Sequence, residues 1–90
     1  MKYWSLEFLP QAEDDLSKLG RETRRRIIDK LDWLSENFTV IFPLPLSGNF
    51  KDFYKLRAGD WRVIYKIDWR NELIIVYFIG RRDEIYKKQK

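Results

Sequence analysis

The sequence predicts an α+β fold: a four-stranded, mostly antiparallel sheet with an N-terminal helical hairpin on one face. Three observations predict it. Helix-period apolar spacing fills residues 10–37, strand-period alternation takes over from residue 51, and the stretch between holds Pro43, Pro45 and Gly48. At 90 residues, 44% hydrophobic and 17% aromatic, the chain reads as one domain, residues 1–90, with a core small enough to be marginal.

Each element has its own warrant. Lys2 to Leu9 reads as a strand, because Tyr3, Trp4, Leu6, Phe8 and Leu9 are β-formers. Pro10 suits the first position of a helix, and Glu13, Asp14 and Asp15 sit in its first turn, where the helix dipole favours them. Ala12, Leu16 and Leu19 share a face, and Gly20 is a plausible C′ residue. A second helix is expected from about Arg21 to about Asn37, since Ile27, Ile28, Leu31, Leu34 and Phe38 follow the 3.6-residue period. The short break between them makes an αα-hairpin. Thr39 to Asn49 reads as a connector whose apolar residues pack down on the domain. Phe53 to Ala58, Trp61 to Asp68 and Leu73 to Ile79 then read as three strands, joined at Ala58-Gly59 and at Asp68 to Glu72. The last is apolar at consecutive positions and should be buried on both faces. Its N-terminal partner is expected to be the first strand.

Composition excludes several chemistries. With neither cysteine nor histidine, disulfides, thiolate metal sites, cysteine nucleophiles, serine triads and histidine-based ribonuclease mechanisms are all ruled out. The longest apolar run, Leu73 to Ile79, falls far short of the roughly 20 residues of a membrane helix. MKYWSLEFLP has no apolar h-region and no small-residue cleavage site, so it does not read as a signal peptide, and the expected location is cytoplasmic. The net charge of +4 is uneven: residues 1–50 carry −1 and residues 51–90 carry +5. The C-terminal half is where a polyanion or an acidic protein would bind, although a charge count by itself reads first as solubilising surface.

The hairpin organises those cations. If Ala58-Gly59 is the tip, Arg57 faces Asp60, Lys55 faces Arg62, Phe53 faces Ile64 and Lys51 faces Lys66. Two cation pairs then stand opposite each other, at a cost of a few tenths to about 1 kcal/mol per pair. An anionic occupant on that face would account for them. Tyr54, Leu56, Val63, Tyr65 and Ile67, with Trp61, take the other face and form core beneath the helices. A three-residue loop would instead stagger the pairs and break the parity. The tail from Gly80 to Lys88 adds Arg81 and Arg82, whose fixed donors match phosphate, and Tyr86, a flat ring on which a base can stack.

These residues resemble a known family. The stretch from Leu46 to Tyr65, LSGNFKDFYKLRAGDWRVIY, resembles the central pattern of the RelE/ParE toxin superfamily, L-x-G followed by Y-[KR]-x-R-x-G-x-[YW]-R-[VL]-[IV]-Y. The stretch from Ile79 to Tyr86, IGRRDEIY, resembles that family's I-G-H-R-x-x-[VI]-Y close and points to the RelE-like ribonuclease branch. The resemblance covers nearly the whole chain and implies a RelE-like fold. It implies a toxin of a type II toxin–antitoxin system that cuts mRNA in the ribosomal A site, inhibits translation and is held inactive by an acidic RelB-like antitoxin. By position it makes Lys55 the general base, Arg62 the stabiliser of phosphate charge, Arg82 the group near the leaving oxygen and Tyr86 the base-stacking residue. Lys51, Arg57, Lys66 and Arg81 would contact RNA. RelE-like enzymes often carry a second lysine two positions before the first; that place is Phe53 here, and Lys51 or Lys66 can substitute from the same face. The family's frequent histidine after the glycine is Arg81.

The chemistry is self-consistent without a cofactor or metal, since RNA carries its own nucleophile, the 2′-hydroxyl. Without histidine a lysine must serve as base, and neighbouring cations favour the neutral form of a lysine. Such base catalysis is worth about 10²–10⁴-fold, and positioning on a ribosome can supply more. The alternative is a ParE-like toxin that acts on DNA gyrase through protein–protein contact without nuclease activity.

Overall fold

A computed structural model describes residues 3–46 and 52–85 of the chain. Its elements in order are β1 (Ser5–Phe8), α1 (Pro10–Ser17), α2 (Arg21–Asn37), β2 (Leu44–Pro45), β3 (Tyr54–Ala58), β4 (Trp61–Asp68) and β5 (Leu73–Arg81). They form two layers, a sheet and the α1–α2 hairpin that covers one of its faces. The sheet order is β1-β5-β4-β3-β2. β1 runs parallel to β5, and all other pairs are antiparallel. The first and last strands are neighbours, as expected.

The sheet has five strands rather than four. The extra one, β2, is two residues long and lies at the edge against β3. An edge is the place in a sheet that tolerates proline, because the missing N–H then faces no partner. The connector also departs from expectation. Ile41 packs on the core and Leu46 is buried, but Val40, Phe42 and Leu44 stay exposed.

Pro10 opens α1 after an extended Leu9, whose N–H donates to Val76 O at 3.0 Å. Gly20 does not cap α1 from a left-handed conformation. Its backbone is extended, φ −64° and ψ 159°, and it is the N-cap residue of α2. Ile27, Leu31, Leu34 and Phe38 are buried at the expected spacing, whereas Ile28 lies on the flank of the stripe and is exposed. Full burial of each such aliphatic side chain contributes about 1.5–3 kcal/mol. Ala12 is fully buried where α1 crosses the sheet. Beside it Asp15, 8% exposed, accepts from the Ile79 N–H at 2.8 Å and from Gln11 Nε2 at 2.9 Å. β1 has ended by then, with Phe8 opposite Val76, so α1 supplies an acceptor beyond the end of that strand.

β5 is buried on both faces because of one irregularity. Ile64 faces Phe78 but Tyr65 faces Val76, so Tyr77 is the additional residue of a bulge. Ile74, Val76 and Ile79 join the helix-side core with Leu56, Val63 and Tyr65. Phe78 instead joins Ile64, Leu46 and Ile85 in a second cluster on the opposite face, with Phe53 and Tyr77 packed against it. No helix among the described residues is long and apolar enough to cross a membrane.

Candidate functional site

The β3–β4 hairpin positions most of the candidate side chains. Its loop is Gly59-Asp60, one residue further on than Ala58-Gly59. Gly59 has φ +64°, and a positive φ at the first loop position is what a type II′ hairpin turn requires, with glycine favoured there. The shift moves the pairing by two residues, which preserves parity. Arg57 therefore faces Arg62, Lys55 faces Ile64, and Leu56 faces Val63. The pairings Lys55 with Arg62 and Arg57 with Asp60 do not form. Lys55, Arg57, Arg62 and Lys66 still share one face, while Tyr54, Leu56, Val63 and Tyr65 share the other.

Arg62 is half-buried and fixed. Its Nη1 donates to Gly59 O at 2.8 Å and to Trp61 O at 2.9 Å, which places the guanidinium at the hairpin tip. Its neighbour across β5 is Gly80, which puts no side chain beside it. Arg82 follows directly after β5, and its N–H donates to Asp60 O at 2.9 Å. The tip of the hairpin and the start of the C-terminal segment are thus joined, and Arg62 and Arg82 leave from the same end of the sheet. Arg57 and Arg82 are exposed, and Lys55 is half-buried.

Lys66 sits further along the face. Its Nζ lies 4.7 Å from the Phe53 ring centre and 5.3 Å from that of Tyr77, so the aromatic residue at the place of the family lysine holds another lysine by a cation–π contact. Between Lys66 and Arg62 the face is apolar, made by Ile64 and Phe78 of the second cluster. Among the described residues, no carboxylate forms an ion pair with Lys55, Arg57, Arg62 or Lys66.

Arg81 is not part of this array. It stands opposite Trp61, with Cζ 5.7 Å from the Trp61 ring centre, on the side of the sheet that packs against the helices. Asp60, Arg81, Arg82 and Asp83 line a shallow polar depression at this end of the sheet. Lys51 and Tyr86 lie outside the described residues. Sequence reasoning placed Ile64 on this face but missed Gly80 and Phe78 as parts of it. The signal for both was present, in a long apolar strand closed by glycine immediately before two arginines.

Under the sheet, burial pushes the Tyr65 hydroxyl well above its ordinary range, and Tyr54, stacked on it at 5.9 Å, adds to the effect. At the far end of β4, hydrogen bonds from the Asn71 side chain and backbone hold the Asp68 carboxyl below its usual value and shape the β4–β5 turn.

The family model for the ParE toxin of the type II toxin–antitoxin system parDE matches residues 6–86. The chain belongs to that family. As a ParE-family chain it is a type II toxin of the RelE/ParE superfamily, and its fold is shared with RelE toxins of known structure. The toxin of a RelBE toxin–antitoxin complex from Mycobacterium tuberculosis is 22% identical, with a TM-score of 0.80 over 91% of this chain and 94% of that one. The isolated RelE toxin of E. coli is 27% identical, with a TM-score of 0.70 over 96% of this chain and 94% of that one. An archaeal RelE from Pyrococcus horikoshii OT3, solved with RelB, is 24% identical, with a TM-score of 0.70 over 90% and 97%. A search of curated proteins found no match.

Proposed function

We propose that this ParE-family toxin is a ribosome-dependent endoribonuclease that cleaves mRNA in the A site and so inhibits translation. One observation carries the reading: Lys55, Arg57, Arg62 and Lys66 share a sheet face on which, among the described residues, no carboxylate pairs with them. Such a face is costly unless an anion occupies it. RNA supplies that anion and the nucleophile. The 2′-oxygen attacks the adjacent phosphorus, the bond to the 5′-oxygen breaks, and a 2′,3′-cyclic phosphate is left. Lys55 takes the 2′-proton. Arg62, held at the hairpin tip, neutralises the charge that builds on the phosphorane, and Arg82 stabilises the departing 5′-oxygen, which takes its proton from water. Tyr86 stacks on a base, and Lys51, Arg57 and Lys66 serve the flanking backbone; Arg81, turned onto Trp61 on the other side of the sheet, takes no part. No cofactor is needed. An acidic RelB-like antitoxin is the partner that suppresses activity, a role supported by the relatives solved as complexes with RelB.

The match to a ParE model favours a second reading, in which the toxin poisons DNA gyrase by protein–protein contact. Primer extension on a ribosome-bound message, with and without the protein, separates the two when run beside a supercoiling assay. Discrete stops within the A-site codon support the ribonuclease. An intact message with inhibited supercoiling removes it.

A further inference from the structure

Phe53, just before β3, Lys66 of β4 and Tyr77 of β5 meet on the cationic face, away from the hairpin tip. All three are half-buried. The Phe53 and Tyr77 rings meet edge to face, with centres 5.1 Å apart and planes at 89°. Lys66 Nζ reaches both, at 4.7 Å and 5.3 Å from the ring centres. Tyr77 is the additional residue of the β5 bulge, so it and Phe78 stand on the same face. Re-aiming a side chain in this way is a common use of a bulge. Among the described residues no hydrogen-bond acceptor holds Lys66 Nζ.

A lysine on a mobile stem gives up much of its rotamer freedom when it grips a ligand. Lys66 has given it up already, because the two rings hold its ammonium by cation–π attraction. The rings offer no lone pairs to the three N–H donors of the ammonium. What a fixed donor of this kind takes is a compact anion, and the phosphates of a single strand supply one at every nucleotide. A base does not stack on the ring faces that the ammonium already occupies.

Arg62 and Lys66 lie on the same face of β4, four positions apart, a span of about 13 Å at the strand rise. Between them is Ile64, fully buried in the apolar cluster. One phosphate cannot meet both cations, but two phosphates of one strand can. The roles given above set the direction. Lys55 serves the 2′-oxygen of the nucleotide 5′ of the cut, and Arg82 serves the 5′-oxygen of the nucleotide 3′ of it. Arg82 is fastened to the hairpin tip through Asp60, so Lys66 lies toward the 5′ flank.

We propose that Lys66, positioned by Phe53 and Tyr77, is a second phosphate site that grips the RNA backbone on the 5′ side of the cut. The inference rests on the ribonuclease reading and gives it a strand path, along β4 from Lys66 to the hairpin tip. It also gives a use to the aromatic residue at the place of the family lysine. The charge at this end of the face comes from Lys66, and Phe53 holds it in place.

The test uses the whole chain and a short, uncleavable 2′-O-methyl oligoribonucleotide. Lys66→Gln should lower the slope of log affinity against log salt by about 0.7, the share of one phosphate of a single strand. Phe53→Leu and Tyr77→Leu should each weaken binding by about two- to fivefold with the slope unchanged. Both should also move the Lys66 ε-methylene resonances, which the rings shift upfield in the parent. Phe53→Tyr keeps the ring and should bind as the parent does. A spin label on the 5′ end should broaden Lys66 and Tyr77, and one on the 3′ end should broaden Gly80 and Arg82. An unchanged slope in Lys66→Gln, parent-like affinity in both leucine variants, the reverse broadening pattern, or an oligonucleotide that does not bind the parent would each overturn the proposal. Primer extension judges the nuclease separately. A parent that cuts message but fails these titrations loses only the Lys66 site, and one that binds through Lys66 but cuts nothing loses only the ribonuclease reading.

Discussion

Arg57 and Arg62 stand directly opposite each other across the β3–β4 hairpin. Two like charges in that register destabilise a hairpin by a few tenths to about 1 kcal/mol. Arg57→Glu is therefore expected to raise the stability of the isolated protein by that amount, measured by urea unfolding, while weakening any bound polyanion. If stability falls instead, the guanidinium groups are not repelling each other, and the cost assigned to this face is wrong.

Arg62→Ala and Arg82→Ala should each slow cleavage on programmed ribosomes by about 10²–10³-fold, the worth of a preorganised group at a developing charge. Lys55→Ala should be as severe, and Tyr86→Ala milder, at about 1–3 kcal/mol for a lost stack. Lys88→Ala is the control. Circular dichroism should show Arg82→Ala folded as the parent, since an exposed arginine adds little stability. Arg62→Ala should lose about 1 kcal/mol, because its Nη1 holds two loop carbonyls. Single-turnover rates within about threefold of the parent for both arginine variants would show that neither touches the transition state.

Asp15 fastens α1 to β5 through the Ile79 N–H. Asp15→Ala removes a charged acceptor from a buried backbone donor and should cost about 1.5–3 kcal/mol. Asp15→Asn keeps an oxygen acceptor and should cost less. Chemical denaturation ranks the pair, and equal losses would mean that packing rather than the hydrogen bond is responsible.

Tyr65 is 1% exposed, and its hydroxyl is pushed up by that burial. Below about pH 10 the phenol keeps its proton in both folded and unfolded chains, so its contribution is fully present. Above that pH the unfolded chain releases the proton first, and stability falls by up to about 1.4 kcal/mol per pH unit as pH rises toward the folded value. Unfolding titrations between neutral and strongly alkaline pH should show this limb, and Tyr65→Phe should flatten it. An unchanged limb in Tyr65→Phe would assign the alkaline loss to other groups.

Much of the site was readable because period and parity are local properties. The alternation of residues 53–67 put Lys55, Arg57, Arg62 and Lys66 on one face and Tyr54, Val63 and Tyr65 on the other, and a two-residue register shift cannot disturb that division. The direct partners were a different matter. Whether Arg62 meets Lys55 or Arg57 depends on where glycine sits in the turn, and one extra residue in either arm changes it.

By itself, then, the sequence determined the α1–α2 hairpin, the three long strands, the sidedness of the cations and the absence of cysteine and histidine chemistry. Each follows from residue type and spacing within one segment. Only the tertiary structure decided the Gly59-Asp60 turn, the β5 bulge that sends Val76 and Phe78 to opposite faces, and the attachment of Arg82 to Asp60 with Arg81 turned onto Trp61. It also decided that Phe42 remains in solvent. These depend on how segments far apart in the chain meet, where a hydrogen bond or a packed ring selects among backbone arrangements that are nearly equal in local energy.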